Sequence, residues 1–318
     1  MSILVMWGML IIGLVLLIKG ADWFVDGASG LAAKMGVPSL VIGLTIVAFG
    51  TSAPEAAVSI SSALKGSSGI ALGNVVGSNL FNLLVVIGIG SILRPTKIDL
   101  SIIKKDYPYN LLATIVLGLT MFDAVLGDLE APVISRTDGL VIIAFFLIFM
   151  YYTVSSGLSG KADNEEKKET KPLYKLIIML AVGIVAIICG GQAVVNGATE
   201  IARSFGVSET LIGLTIVAVG TSLPELVTSL VAIKKGEDDI AVGNVIGSNI
   251  FNILFIIGIA ATIKSIAVDL ELIYDIVMLF VVSAVIYLGV AKKRAVGRGA
   301  GIAMVLAYAA YMIFAIIR

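Results

Sequence analysis

Two glutamates stand where glutamates are costly. Glu55 ends the hexapeptide GTSAPE (Gly50–Glu55) and Glu225 ends GTSLPE (Gly220–Glu225), each inside an otherwise apolar run. An ionisable residue deep in a hydrophobic segment is expensive to bury and is a functional-site hypothesis by default. Thr51 and Ser52 precede Glu55 by four and three residues, so helical spacing places both hydroxyls on or beside the glutamate's face. Thr221 and Ser222 repeat that spacing before Glu225. Pro54 and Pro224 each remove a backbone donor and loosen carbonyls about one turn earlier. Those carbonyls lie near Gly50 and Thr51, with Ala48 about a turn before, and Ala218 is its counterpart in the second copy. Within a membrane such a break persists only where side chains, water or ions satisfy the loosened groups.

A second motif follows each first one: GNVVGSNLFN (Gly73–Asn82) and GNVIGSNIFN (Gly243–Asn252). Ser78 stands four residues before Asn82 and Ser248 four before Asn252, so each hydroxyl shares a face with an amide. The asparagines supply carbonyl oxygens without adding charge. Asn74 and Asn244 are read instead as hydrogen-bonding between helices. Gly73 with Gly77, and Gly243 with Gly247, have the four-residue spacing that lets helices approach closely. The whole set offers carboxylate, hydroxyl and carbonyl oxygens with no nitrogen or sulfur ligand, which suits hard cations such as Na⁺ and Ca²⁺. Two carboxylates facing one cavity carry a charge of about −2, which one Ca²⁺ neutralises, and they titrate as a pair. Repulsion discourages the empty site from crossing, and competition between Ca²⁺ and several Na⁺ for the same oxygens couples their movements.

The elements that hold these residues are membrane spans. Of 318 residues 58% are hydrophobic and 14% charged, and mean hydropathy is +1.07, well beyond a soluble domain. On a ruler of about 20 apolar residues per span, ten helices are expected, centred on residues 3–25, 39–64, 70–93, 108–126, 137–157, 173–196, 210–233, 240–263, 271–291 and 299–317. The first reads as a retained span, too long and too poor in basic residues for a cleaved leader. There is no histidine, so serine–histidine catalysis and histidine-ligated zinc are excluded, and no nucleophile–base set points to an enzyme. Zero net charge and the lack of basic clusters with aromatics argue against nucleic acid as a partner. The single cysteine, Cys189, can form no intrachain disulfide. The partner in view is the lipid bilayer, with no cofactor beyond the transported ions and no obligate protein partner. Lys19, Asp22 and Asp26 lie in the first span. Lys19 and Asp22 can pair at i, i+3, and an anchoring role is favoured over ion binding.

The chain contains itself twice. At a constant offset of 170, 12 of 14 positions are identical between Ile42–Glu55 and Ile212–Glu225, and 10 of 13 between Ile70–Asn82 and Ile240–Asn252. Residues 1–158 form one half of five spans, 159–172 a polar linker, and 173–318 the other half. An odd number of spans per half makes the copies inverted, with a site near the midplane at their interface. Lysine and arginine favour one side by sixteen to five, which places the linker in the cytoplasm and both termini outside. The fold class is therefore an all-α integral membrane protein of ten transmembrane helices in two inverted-topology repeats, in a cell membrane.

With these motifs in view, the sequence resembles the sodium/calcium exchangers of the calcium/cation antiporter superfamily, in their prokaryotic ten-span form. GTSAPE with GNVVGSNLFN, and GTSLPE with GNVIGSNIFN, match the family's paired alpha-repeats. The resemblance implies twelve ligating residues around four cation sites. Glu55, Glu225, Thr51 and Thr221 would hold Ca²⁺. Ala48, Ser52 and Ser78 would serve one Na⁺, Ala218, Ser222 and Ser248 another, and Asn82 and Asn252 would lie between them. It further implies exchange of Na⁺ for Ca²⁺, with the first and sixth spans sliding across a rigid core. Some relatives carry aspartate where this chain has Asn252, so the sequence looks potassium-independent. The expectation is an electrogenic Na⁺/Ca²⁺ antiporter. A Ca²⁺/H⁺ antiporter on the same scaffold is the alternative, with a cation channel behind it.

Overall fold

The computed structural model describes residues 3–126, 133–159, 171–206, 216, 218–269 and 271–317. The apolar runs form α1 (Ile3–Met35), then α2 (Ser39–Thr51), α3 (Ala53–Lys65) and α4 (Ser68–Leu93). A two-residue strand, β1 (Thr96–Lys97), leads to α5 (Tyr107–Leu126), β2 (Val133–Ile134) and α6 (Arg136–Ser159). The second half holds α7 (Leu173–Ser204), α8 (Leu223–Lys235) and α9 (Asp238–Ile263). It ends with β3 (Ile266–Ala267), α10 (Leu272–Lys293), β4 (Ala295–Val296) and α11 (Arg298–Ile317). Among the described residues seven of these helices are long and apolar enough to cross a membrane, eight with α2 and α3 as one bent span, and α5 and α8 stand at the places of the two other expected spans. The start of the seventh span and most of the polar linker lie outside the described residues.

Burial sorts the helices into layers. The apolar windows of α4 and α9 are 83% and 78% buried, against 28% or less for α1, α6, α7, α10 and α11. The second motifs therefore run through the centre, and the outer helices turn leucine, isoleucine and phenylalanine toward the hydrocarbon, as at Leu4, Ile148 and Leu306. α1 and α7, of 33 and 32 residues, cross antiparallel through glycines. A Cβ on Gly13 would stand 2.8 Å from the Gly190 carbonyl, and one on Gly183 would stand 2.8 Å from the Phe24 amide. Only glycine allows backbones that near.

Two short antiparallel ladders show the inversion directly. Thr96 pairs with Val296 and Lys97 with Ala295. At the other end Ile134 pairs with Ile266 and Val133 with Ala267. Ile266 and Ala267 are the 170-offset counterparts of Thr96 and Lys97. One ladder follows the third span and its counterpart the eighth, which places them at opposite membrane faces.

Fully described π-helical stretches are Gly43–Val47, Asn82–Val86, Ile102–Asp106 and Phe251–Ile257. Such turns take in one extra residue and are frequent at functional sites. Three of them abut or contain Ala48, Asn82 and Asn252. The fourth absorbs a one-residue insertion. Asp99 and Asp269 keep the 170 offset, but Asp106 comes level with Asp275 only because the turn Ile102–Asp106 holds one residue more. Both Asp106 and Asp275 are buried.

Candidate cation site

Each first motif is a joint between helices. Ser52 has φ −83° and ψ 8°, and Ser222 has φ −91° and ψ 5°. Both leave the helical region, and α2 meets α3 at 52°. Pro54 and Pro224 sit in the first turn of α3 and α8, where a missing N–H costs nothing and a fixed φ favours the start of a helix. The sequence suggests a proline break within one helix, with carbonyls left loose. The structure instead begins a new helix at each proline. The Ala48 carbonyl remains in use, accepting from the Ser52 amide at 3.1 Å. It also lies within reach of the Thr51 and Ser248 hydroxyls, each at 3.4 Å. Ala218 opens the short turn Ala218–Gly220 at the edge of the described residues.

The joint moves each serine away from its own glutamate. Ser52 Oγ donates to Glu225 Oε1 at 2.9 Å, and Ser222 Oγ donates to Glu55 Oε1 at 3.1 Å. Helical spacing alone places Ser52 beside Glu55, but the two halves exchange hydroxyls across their interface. Ser248 Oγ lies 3.5 Å from Glu225 Oε1, and Ser222 Oγ also reaches Ser78 Oγ at 3.0 Å. Thr51 Oγ1 donates to Asn244 Oδ1 at 3.0 Å, with the mirror contact from Thr221 to Asn74 at 3.4 Å. Asn244 and Asn74 give their amide protons to Ser229 and Ser59, at 3.0 and 2.9 Å. They bond between helices, as their sequence position suggests. Gly243 and Gly247 allow this approach, since a Cβ there would stand 3.0 and 2.7 Å from the carbonyls of Leu40 and Leu44. By the offset, the matching partners of Gly73 and Gly77 fall at 210 and 214, outside the described residues.

Glu55, Glu225, Ser52 and Ser222 are all fully buried, and none of the ion pairs among the described residues reaches either glutamate. Four buried oxygens in this region have no hydrogen-bond partner among the described residues: Glu55 Oε2, Glu225 Oε2, Asn82 Oδ1 and Asn252 Oδ1. Each comes from a position the sequence singles out, and they fall in matched pairs. An unsatisfied buried acceptor costs about 1–3 kcal/mol, and more when charged. Four acceptors and no donor make a set that a cation satisfies. Among the described residues no three acidic, histidine or cysteine side chains are grouped so that they could hold a metal ion, so the two glutamates set the charge of this site.

Sequence reasoning missed Asn79 and Asn249, which adjoin Ser78 and Ser248. Asn79 Nδ2 donates to the Asn249 carbonyl at 3.1 Å, and Asn249 Nδ2 donates to the Asn79 carbonyl at 3.4 Å. Their side-chain oxygens accept from Asn252 Nδ2 at 3.0 Å and Asn82 Nδ2 at 3.1 Å. The signal was present, since both asparagines recur at the 170 offset within identical GSN triplets.

Outside the site, Asp22 and Asp26 turn to Lys235 on α8, with carboxylate–ammonium distances of 2.9 and 2.6 Å. The expected Lys19–Asp22 pair is not among the ion pairs of the described residues. Burial pushes the Lys235 ammonium toward a lower pKa, but hydrogen bonds and charge from Asp26 and Asp22 outweigh it and raise the pKa above 10.5. Ser29 Oγ adds a bond to Glu237 at 2.6 Å.

This architecture recurs in known proteins. The chain is 32% identical to the sodium/calcium exchanger MaX1 of Methanosarcina acetivorans, over 96% of each chain. It is 41% identical to the putative antiporter CaxA of Alkalimonas amylolytica, over 81% of each. The solved structure of the sodium-calcium exchanger NCX_Mj superposes with a TM-score of 0.85 at 31% identity, covering 98% of this chain and 99% of that one. The family model for sodium/calcium exchanger proteins matches residues 5–155 and 175–317, almost the whole of both repeats. The chain belongs to the sodium/calcium exchanger protein family.

Proposed function

We propose that this protein is a secondary antiporter that exchanges Na⁺ for Ca²⁺ by alternating access, electrogenically and without K⁺. The observation that carries the reading is the crossed pair of buried glutamates, each bonded to the other repeat's serine and each keeping one oxygen unpartnered. A charged carboxylate pair without a basic partner is costly to hold in a membrane, and bound cations offset that cost. The twelve positions Ala48, Thr51, Ser52, Glu55, Ser78, Asn82, Ala218, Thr221, Ser222, Glu225, Ser248 and Asn252 are the proposed ligands. The ions are substrates, and no resident cofactor or catalytic group enters the scheme. Asn252 leaves the site with two carboxylates, which favours a potassium-independent cycle.

The proposed arrangement has halves 1–158 and 173–318, a cytoplasmic linker at 159–172 and both termini outside a cell membrane. Family membership and the sixteen-to-five charge bias support it. The test is Ca²⁺ flux in proteoliposomes under imposed Na⁺, K⁺ and H⁺ gradients. An outward Na⁺ gradient should drive Ca²⁺ uptake and generate a membrane potential. Uptake that followed the proton gradient and ignored Na⁺ would overturn the reading in favour of Ca²⁺/H⁺ exchange, and Ca²⁺ flux without any counter-ion would indicate a channel.

A further inference from the structure

Asn79 and Asn249 make a closed device with Asn82 and Asn252, and its logic starts from atoms whose character is fixed. A backbone carbonyl can only accept a hydrogen bond. The side-chain atom of Asn79 facing the Asn249 carbonyl must therefore be the NH₂, and the same holds for Asn249 facing the Asn79 carbonyl. That leaves the side-chain oxygens of Asn79 and Asn249 as the atoms turned toward Asn252 and Asn82. Those two residues must answer with their own NH₂ groups, at 3.0 and 3.1 Å. Their oxygens are then the free ends, and both are buried and unpartnered. An asparagine amide is nearly symmetric in shape, so packing alone does not choose between oxygen and nitrogen. Here the choice passes from main chain to Asn79 or Asn249, and from there to Asn82 or Asn252.

We infer that Asn79 and Asn249 are positioning residues that lock the Asn82 and Asn252 amides oxygen-first toward the transported cation. The inference rests on the reading of Asn82 and Asn252 as cation ligands. Without the lock, either amide can rotate by half a turn and present two N–H donors to a positive ion. The lock also crosses the repeats, because Asn249 sets Asn82 and Asn79 sets Asn252. Both asparagines are fully buried, so water does not compete for these bonds.

The test uses the fact that a carboxylate has no wrong end. In purified, reconstituted protein, Asn249→Leu should raise the Ca²⁺ concentration for half-maximal uptake by roughly tenfold or more, since a misaimed amide leaves a buried donor against the ion. In the Asn82→Asp background the same Asn249→Leu change should alter that concentration by less than about twofold, because a carboxylate presents oxygen in either orientation. Equal losses in both backgrounds, or none in either, would show that Asn249 only packs. Asn79→Leu with Asn252→Asp forms the mirror cycle and replaces the first if Asn249→Leu does not fold. A wild-type protein that took up no Ca²⁺ under a Na⁺ gradient would count against the antiporter proposal alone. The lock is then judged by the rise in melting temperature on adding Na⁺, K⁺ or Ca²⁺ to the same four proteins. A rise that shrinks on Asn249→Leu only when residue 82 is asparagine supports the lock, and any other pattern rejects it.

Discussion

Glu55 and Glu225 each have one oxygen held by a serine of the opposite repeat and one left free. Glutamine keeps the shape and the acceptor for serine but removes a charge. Glu55→Gln or Glu225→Gln should therefore lower Na⁺-driven Ca²⁺ uptake at least about a hundredfold, the ~3 kcal/mol scale of breaking a buried charge pairing. The melting temperature of the protein in detergent should stay near the wild-type value. Uptake retained in both variants would remove the glutamates from the site. Asn252→Asp adds a third carboxylate and should change the relative Na⁺, K⁺ and Ca²⁺ dependence of uptake more than it changes thermal stability. Unaltered ion dependence would argue against a ligand role for Asn252. The sequence identified all of these positions, because a carboxylate in an apolar run and a duplication at constant offset are both visible without coordinates. It did not show which serine meets which glutamate. That pairing depends on a backbone joint at Ser52 and Ser222 that helical spacing cannot represent. The roles of Asn79 and Asn249 are not legible from spacing, because their partners lie on the other repeat.

Among the elements, α1 and α7 depend most on the absence of side chains. A Cβ at Gly183 would meet the Phe24 amide at 2.8 Å, and main chain cannot move aside as a side chain can. Gly183→Leu should separate the two helices and destabilise the protein by about 1–3 kcal/mol, read as a lower melting temperature, whereas Gly289→Ala, with nothing within 4 Å of its Cβ, should change little. The contact between α1 and α8 through Asp22, Asp26 and Lys235 is partly exposed, with the lysine side chain 27% accessible. Lys235→Met should accordingly cost less than about 1 kcal/mol. The sign of its pH dependence follows from the raised lysine pKa. The contribution is fully present below the ordinary lysine pKa of 10.5 and is lost as pH climbs through the higher folded value. Across the range from neutral to mildly alkaline pH, well below that value, the difference in melting temperature between wild type and Lys235→Met should stay constant. A gap that closed over this range would show that the contact is not ionic. The helices themselves were legible from hydropathy. The π-helical turns were not, because an extra residue in a turn leaves no mark in a largely apolar run such as Phe251–Ile257. Asp106 shows the limit of a constant offset, since one inserted residue separates it from the register that pairs Asp99 with Asp269.

For the molecule as a whole, duplication gave the architecture, since two five-span copies in one chain can only be inverted. A membrane-impermeant thiol reagent applied to intact cells checks the orientation in a Cys189→Ser background. Ser2→Cys should label and Asn164→Cys in the linker should not, and the reverse pattern would turn the topology over. The crossed bonds also bear on how the protein is made. Ser222 follows Glu55 by 167 residues and Glu225 follows Ser52 by 173. At a synthesis rate of ~5–20 residues per second, Glu55 waits roughly 8–33 seconds in the membrane before the serine that completes it exists. The first half thus enters the bilayer with its most costly residue unsheltered. Variants that slow synthesis of the linker should expose that half to membrane proteases for longer, while substitutions that leave Glu55 uncharged should protect it.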